Sequence, residues 1–90
     1  MPAPLNAFKT ALASGQPLIG CWAGFADAYA TEILGTAGFD WLILDGEHAP
    51  NTIQTLSAQI GALGGSGSAP IVRVPEATDR IIKQVLDAGA

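Results

Sequence analysis

The sequence predicts an α/β fold on a parallel sheet, with one opening helix followed by three strand–helix units. Three observations carry this. Short apolar runs alternate with segments whose apolar positions recur at helical spacing. The short runs are apolar almost throughout, which is the pattern of strands covered on both faces. Glycine, proline and cap-forming residues mark each change from one kind of segment to the other.

Pro4 to Ser14 places Leu5, Phe8 and Leu12 at helical spacing, and Gly15 offers a stop. Pro17 to Phe25 is a short apolar run that reads as the first strand. Asp27 is placed to cap a helix with Ala30, Ile33, Leu34 and Ala37 on one face, ended by Gly38. Asp40 to Asp45 is the second strand, and Gly46 to Pro50 a loop. Asn51 then caps a helix that carries Ile53, Leu56, Ile60 and Leu63. Gly64 to Ser68 is a surface connection, too short to mark a domain boundary. Ala69 to Val74 is the third strand, closed by Pro75. Ile81, Ile82, Val85 and Leu86 mark a last helix that ends near Gly89.

Strands alternating with helices imply right-handed crossovers. The bare pattern fits a (β/α)8 barrel or a doubly wound sheet. No glycine pattern of a dinucleotide site or a P-loop follows any strand. Three parallel strands alone would expose apolar edges. Residues 1–90 are therefore expected to be the N-terminal segment of one larger domain.

Composition points the same way. The chain is 49% hydrophobic but only 13% charged, against about 25% in an ordinary soluble domain. Much of its surface is expected to be covered, by the rest of a domain or by another subunit. The net charge is −4, and Lys9, Arg73, Arg80 and Lys83 are scattered. Nucleic-acid binding, which needs clustered cations, is disfavoured. Cys21 is the only cysteine and cannot form an internal disulfide, which suits a reducing, cytoplasmic setting. It lies in an apolar run and reads as a small buried hydrophobe. The uncharged stretch from His48 to Val72 is rich in Asn, Thr, Gln, Ser and Gly, so it is no membrane span.

In parallel α/β folds the ligand site lies at the C-terminal ends of the strands. That rule selects Trp22-Ala23-Gly24, Asp45-Gly46-Glu47-His48 and Arg73-Val74-Pro75. Imidazole titrates near neutral pH and suits a general base, with a carboxylate such as Asp45 to orient it. A guanidinium binds a carboxylate in two-pronged fashion and stabilises an oxyanion. Together they suggest proton abstraction on a small carboxylic acid that carries a carbonyl. Each residue also has a plainer reading. His48 and Glu47 could be solvated loop residues, Arg73 half of a structural ion pair, and Trp22 part of the core. Asp87 could be a polar helix-end residue, although a carboxylate is unfavourable beside a helix C-terminus.

Several runs resemble the HpcH/HpaI aldolases: Ile19-Gly20-Cys21-Trp22, Ala37-Gly38-Phe39-Asp40-Trp41-Leu42 and above all Leu44-Asp45-Gly46-Glu47-His48-Ala49-Pro50-Asn51. Ala69 to Pro75 and Ile82 to Gly89 resemble them too, in the same order and spacing. Within that family the sequence is most similar to the branch acting on 2-keto-3-deoxy sugar acids, with the branch acting on 4-hydroxy-2-oxo acids close behind. The resemblance implies a (β/α)8 barrel, typically about 250 residues long, of which this chain is the opening helix and three βα units. It implies metal-dependent retro-aldol cleavage of a 2-oxo acid to pyruvate and an aldehyde, with Mg2+ or Mn2+ stabilising the enolate.

By the same resemblance His48 is the general base, Asp45 its dyad partner, and Arg73 the group that stabilises the pyruvate oxygen. Asp87 would raise the basicity of that histidine, through a relay or a neighbouring subunit because a helix end lies on the opposite rim. Trp22 would line the pocket. The family's metal ligands, a glutamate and an aspartate, come from later strands, so no residue here is assigned to the metal. The resemblance also implies a homo-oligomer, commonly a hexamer, and no independent activity for these 90 residues. Two alternatives remain, a non-catalytic, self-associating barrel fragment and an acyl-thioester lyase of the same superfamily. The Asp45 to Asn51 run argues for free-acid aldolases against the latter.

Overall fold

The computed structural model describes residues 2–90. Helix α1 (Ala7–Ala13) precedes strand β1 (Gly20–Ala23), helix α2 (Ala28–Leu34), strand β2 (Trp41–Asp45), helix α3 (Ile53–Ala62), strand β3 (Ala69–Arg73) and helix α4 (Asp79–Ala88). The strands are parallel and lie in chain order, β1-β2-β3. Leu42 and Leu44 of β2 are fully buried against Leu56 and Ile60 of α3, Leu63 just beyond it, and Val85 of α4. Helix α3 packs between α2 and α4, so the three helices share one face of the sheet. A doubly wound sheet would put helices on both faces and reverse its strand order at a switch point. The observed arrangement is that of the opening units of a (β/α)8 barrel.

The other sheet face explains where the expected burial failed. Strands covered on both faces were expected, yet Ile19 is 69% exposed and Trp22 51% exposed. The fully buried apolar strand positions, Ala23, Leu42 and Leu44, all face the helices, while positions on the other face such as Ile43 and Ile71 are half-buried. In a closed barrel those alternate positions point into the interior. Cys21 is likewise half-buried, packed against the core rather than inside it.

Three helix expectations need correction. Helix α1 starts later than Pro4, because the Asn6 side chain accepts from the Lys9 N–H and fixes the cap. Leu5 lies outside it and is exposed. Helix α2 ends at Leu34, short of Gly38, and Ala37 belongs to the turn that follows. Its buried position is Thr31 rather than the exposed Ile33, because the Thr31 hydroxyl finds a buried partner in Gln59. Helix α3 is capped by Thr52, not Asn51. Thr52 and Thr55 form a reciprocal capping box, and the Asn51 amide is drawn elsewhere.

Gly46 is required by close approach. A Cβ there would sit 2.8 Å from the Arg73 carbonyl oxygen, to which the Gly46 N–H donates at 2.8 Å. That contact holds the loop after β2 against the end of β3. Gly89 ends α4 in the left-handed region at φ 113°.

Candidate functional site

Strand register brings the site together. Asp45 on β2 is the partner of Arg73 on β3, and Trp22 on β1 is the partner of Ile43, one step earlier on the same face. Side chains alternate along a strand. With Leu42 and Leu44 facing the helices, Trp22, Asp45 and Arg73 all project from the opposite face, at its C-terminal rim.

Asp45 is the hub and is 5% exposed. Its Oδ1 accepts from Arg73 Nε at 3.0 Å and from the backbone N–H groups of Glu47 at 2.9 Å and His48 at 3.0 Å. Its Oδ2 accepts from Arg73 Nη2 at 2.6 Å and from the Trp22 indole N–H at 3.1 Å. The Trp22 ring also lies 4.9 Å from the guanidinium carbon of Arg73, within cation–π range. The Arg73 guanidinium, above all, holds the Asp45 carboxyl well below the usual carboxylate range, against opposition from burial. The His48 and Glu47 N–H groups and the indole add to this. Asp45 in turn raises the value for Arg73. Both groups stay charged throughout the neutral range.

Glu47 completes the cluster. Its Oε1 lies 3.2 Å from Arg73 Nη1 and 3.4 Å from His48 Nε2. The His48 side chain is 74% exposed, at the open side of the rim. An Asp45–imidazole dyad was expected, but Asp45 meets His48 only through its backbone N–H. Both carboxylate oxygens are already taken by stronger donors, and the ring turns to Glu47 instead. Arg73 therefore has both halves of its two readings at once. One edge is a structural fork onto Asp45, Nη1 lies against Glu47, and the N–H groups held by neither carboxylate are open to an anion.

Trp22, Asp45, His48 and Arg73 are thus gathered as the strand-end rule expected. Asp87 is not. It is exposed near the C-terminal end of α4, where Leu86, Ala88 and Gly89 line a hollow with Asp40 and Ala69 at the opposite ends of the strands. Glu47, read from sequence as a polar loop residue, joins Arg73 to His48. A glutamate immediately before a histidine at a strand end was the signal available for it.

No three potential metal-ligating side chains cluster among the described residues. The Asp45 oxygens are committed to N–H donors, which leaves Glu47 and His48 as the only neighbouring donors. These residues do not by themselves compose a metal site.

The family described as HpcH/HpaI aldolase/citrate lyase matches residues 18–90. The hydroxypyruvate/pyruvate aldolase of Roseovarius nubinhibens is 64% identical over 90 residues, which is 100% of this chain and 35% of that protein. The 5-keto-4-deoxy-D-glucarate aldolase of Salmonella paratyphi A is 60% identical over 84 residues, covering 93% of this chain and 33% of that protein. Among solved structures, an HpcH/HpaI aldolase/citrate lyase family protein from Burkholderia cenocepacia superposes with a TM-score of 0.90 at 40% identity, over 96% of this chain and 35% of that one. The chain spans about a third of the length of the relatives it matches. With the family matched over most of its length, the chain belongs to the HpcH/HpaI aldolase/citrate lyase family.

Proposed function

We propose that residues 1–90 form the N-terminal segment of a single aldolase barrel, and that they supply the base and the oxyanion-binding arginine for retro-aldol cleavage of a 4-hydroxy-2-oxo acid or 2-keto-3-deoxy sugar acid. The observation that carries this is the Asp45–Arg73 fork, which fixes a charged guanidinium at the strand ends against Glu47, whose carboxylate also meets the His48 ring. His48 accepts the proton of the substrate's C4 hydroxyl. The C3–C4 bond breaks, an aldehyde leaves, and the electron pair passes to the C2 oxygen as the pyruvate enolate. Arg73 faces that oxyanion through the N–H groups held by neither Asp45 nor Glu47. Protonation at C3 then gives pyruvate. Trp22 forms one wall and also steadies the arginine.

The names of the relatives support aldolase chemistry, one of them on hydroxypyruvate and pyruvate and the other on 5-keto-4-deoxy-D-glucarate. A divalent cation, Mg2+ or Mn2+, would be held by residues outside these 90 and would add Lewis-acid stabilisation of the enolate. Asp87, at the opposite rim, would act on His48 only through a further subunit of a homo-oligomer. A small-molecule 2-oxo acid is the proposed partner and the cytoplasm the proposed setting. Among the described residues no helix is long and apolar enough to cross a membrane.

The test is a chimera in which residues 1–90 replace the matching third of the Roseovarius nubinhibens aldolase. Pyruvate release from 2-keto-3-deoxyglucarate is followed with and without chelator. Chelator-sensitive release that is lost with His48→Ala supports the reading, and release indifferent to His48 and Arg73 refutes it. The exposed Ile19, Tyr29, Ile33 and Leu86 favour a second reading, a self-associating segment without activity of its own. Intact mass together with solution mass of the full chain separates the two.

A further inference from the structure

A line of polar side chains runs through the helical layer and ends on the backbone of Asp45. Thr31 Oγ1 donates to Gln59 Oε1 at 3.0 Å. Gln59 Nε2 donates to Asn51 Oδ1 at 2.7 Å and to the Thr55 carbonyl at 2.9 Å. The Thr55 hydroxyl lies 2.8 Å from the same Asn51 Oδ1. Asn51 Nδ2 donates to the Asp45 carbonyl at 2.7 Å. Thr31 and Gln59 are fully buried, and among the described residues no buried side-chain N or O atom lacks a partner.

Burying an amide is costly unless every bond is made, and a leucine or methionine would fill the space without that cost. What the glutamine adds is direction. Its oxygen faces Thr31, so its N–H groups must face Asn51, and the Asn51 N–H group must then face Asp45. The Asp45 carbonyl needs that donor. The Gly46 N–H points to Arg73 on β3, so the planar trans peptide turns the Asp45 carbonyl towards β1. The β1–β2 register has already ended there, at Ala23 and Leu44.

We propose that Asn51 and Gln59 are positioning residues. They lock the peptide after Asp45 so that its carboxylate meets Arg73, Trp22 and the N–H groups of Glu47 and His48 together. The proposal deepens the reading of the Asp45–Arg73 pair as the working part of the site, and it rests on that reading for its functional meaning only.

Its test needs no substrate. The full chain is labelled with 15N at the tryptophan indoles. The Trp22 indole N–H reports its bond to Asp45, and the Trp41 indole serves as an internal control. Gln59→Met keeps the side-chain volume and removes the amide. The proposal expects the Trp22 resonance to move upfield while the Trp41 resonance stays in place. Should Gln59→Met fail to fold, Asn51→Asp keeps the shape, replaces the donor with an acceptor at a half-buried position, and should give the same shift. A Trp22 resonance unmoved in the variant that folds overturns the proposal, whatever happens to the melting temperature. A shifted resonance in the variant, with no aldolase activity in the chimeric barrel that carries the native segment, would refute the functional reading alone. An active enzyme with an unmoved resonance would refute this proposal alone.

Discussion

Arg73 and Asp45 are register partners on neighbouring strands, and they meet along the whole edge of the guanidinium, Nε to Oδ1 at 3.0 Å and Nη2 to Oδ2 at 2.6 Å. Each strand contributes one residue on the interior face at its last position. The pair therefore follows from the parallel register itself, and the fork leaves the other side of the guanidinium facing the rim. Lysine could supply the charge there but not the two parallel bonds.

Arg73→Lys is accordingly expected to keep the fold and lose most of the activity. In the chimeric barrel, kcat should fall about 10²- to 10³-fold, the size seen when a preorganised oxyanion donor is removed. Circular dichroism should remain unchanged. Steady-state kinetics of pyruvate release, beside a melting curve, checks both halves of the statement.

The indole of Trp22 does two things at once, donating to Asp45 and lying over Arg73. Trp22→Phe retains a ring over the cation and deletes the donor, whereas Trp22→Ala removes both. A loss in kcat/KM of about tenfold is expected for the phenylalanine variant, the scale of one hydrogen bond to a charged group. The alanine variant should lose more. Equal losses in the two variants would show that the N–H bond is all that matters.

Asp45 also gives the fold a pH dependence with a definite sign. Its carboxyl is held below the ordinary value, first by the Arg73 guanidinium. Its contribution to stability is therefore complete above the unfolded value of about 4 and is lost progressively as pH falls below it. Urea unfolding at a series of acid pH values should show the native chain losing stability below pH ~4 more steeply than Asp45→Asn. Parallel slopes would contradict the assignment.

Leu44 is fully buried and adjoins Asp45 in β2. Leu44→Ala should destabilise the protein by about 2–5 kcal/mol, the range for a core leucine that leaves a cavity. Denaturant melts measure it directly.

The parts of this structure that were legible in the sequence are those governed by period and position. Apolar runs locate the strands, and the strand-end rule picks out Asp45, His48 and Arg73 from the sequence alone. What escaped were choices among local partners. Asn51 looks like a cap as readily as Thr52 does, and only the stray carbonyl of Asp45 decides between them. Ile33 has the better apolar credentials, yet Thr31 is buried because Gln59 lies opposite it. The Asp45–His48 dyad was expected from adjacency, but adjacency in a turn placed the backbone N–H, not the ring, on the carboxylate. The burial of β1 was overestimated because its outer positions face an interior that these three strands do not close.

The central claim is that this segment brings the base and the arginine of a pyruvate aldolase to one rim of a barrel. The most direct measurement is pyruvate release by the chimeric barrel, comparing native residues 1–90 with His48→Ala. Chelator-sensitive release that falls about 10²- to 10⁴-fold in the variant, the usual contribution of a positioned general base, is the result predicted. Undiminished release by His48→Ala would contradict the claim, leaving the fold in place and removing its chemistry from this segment.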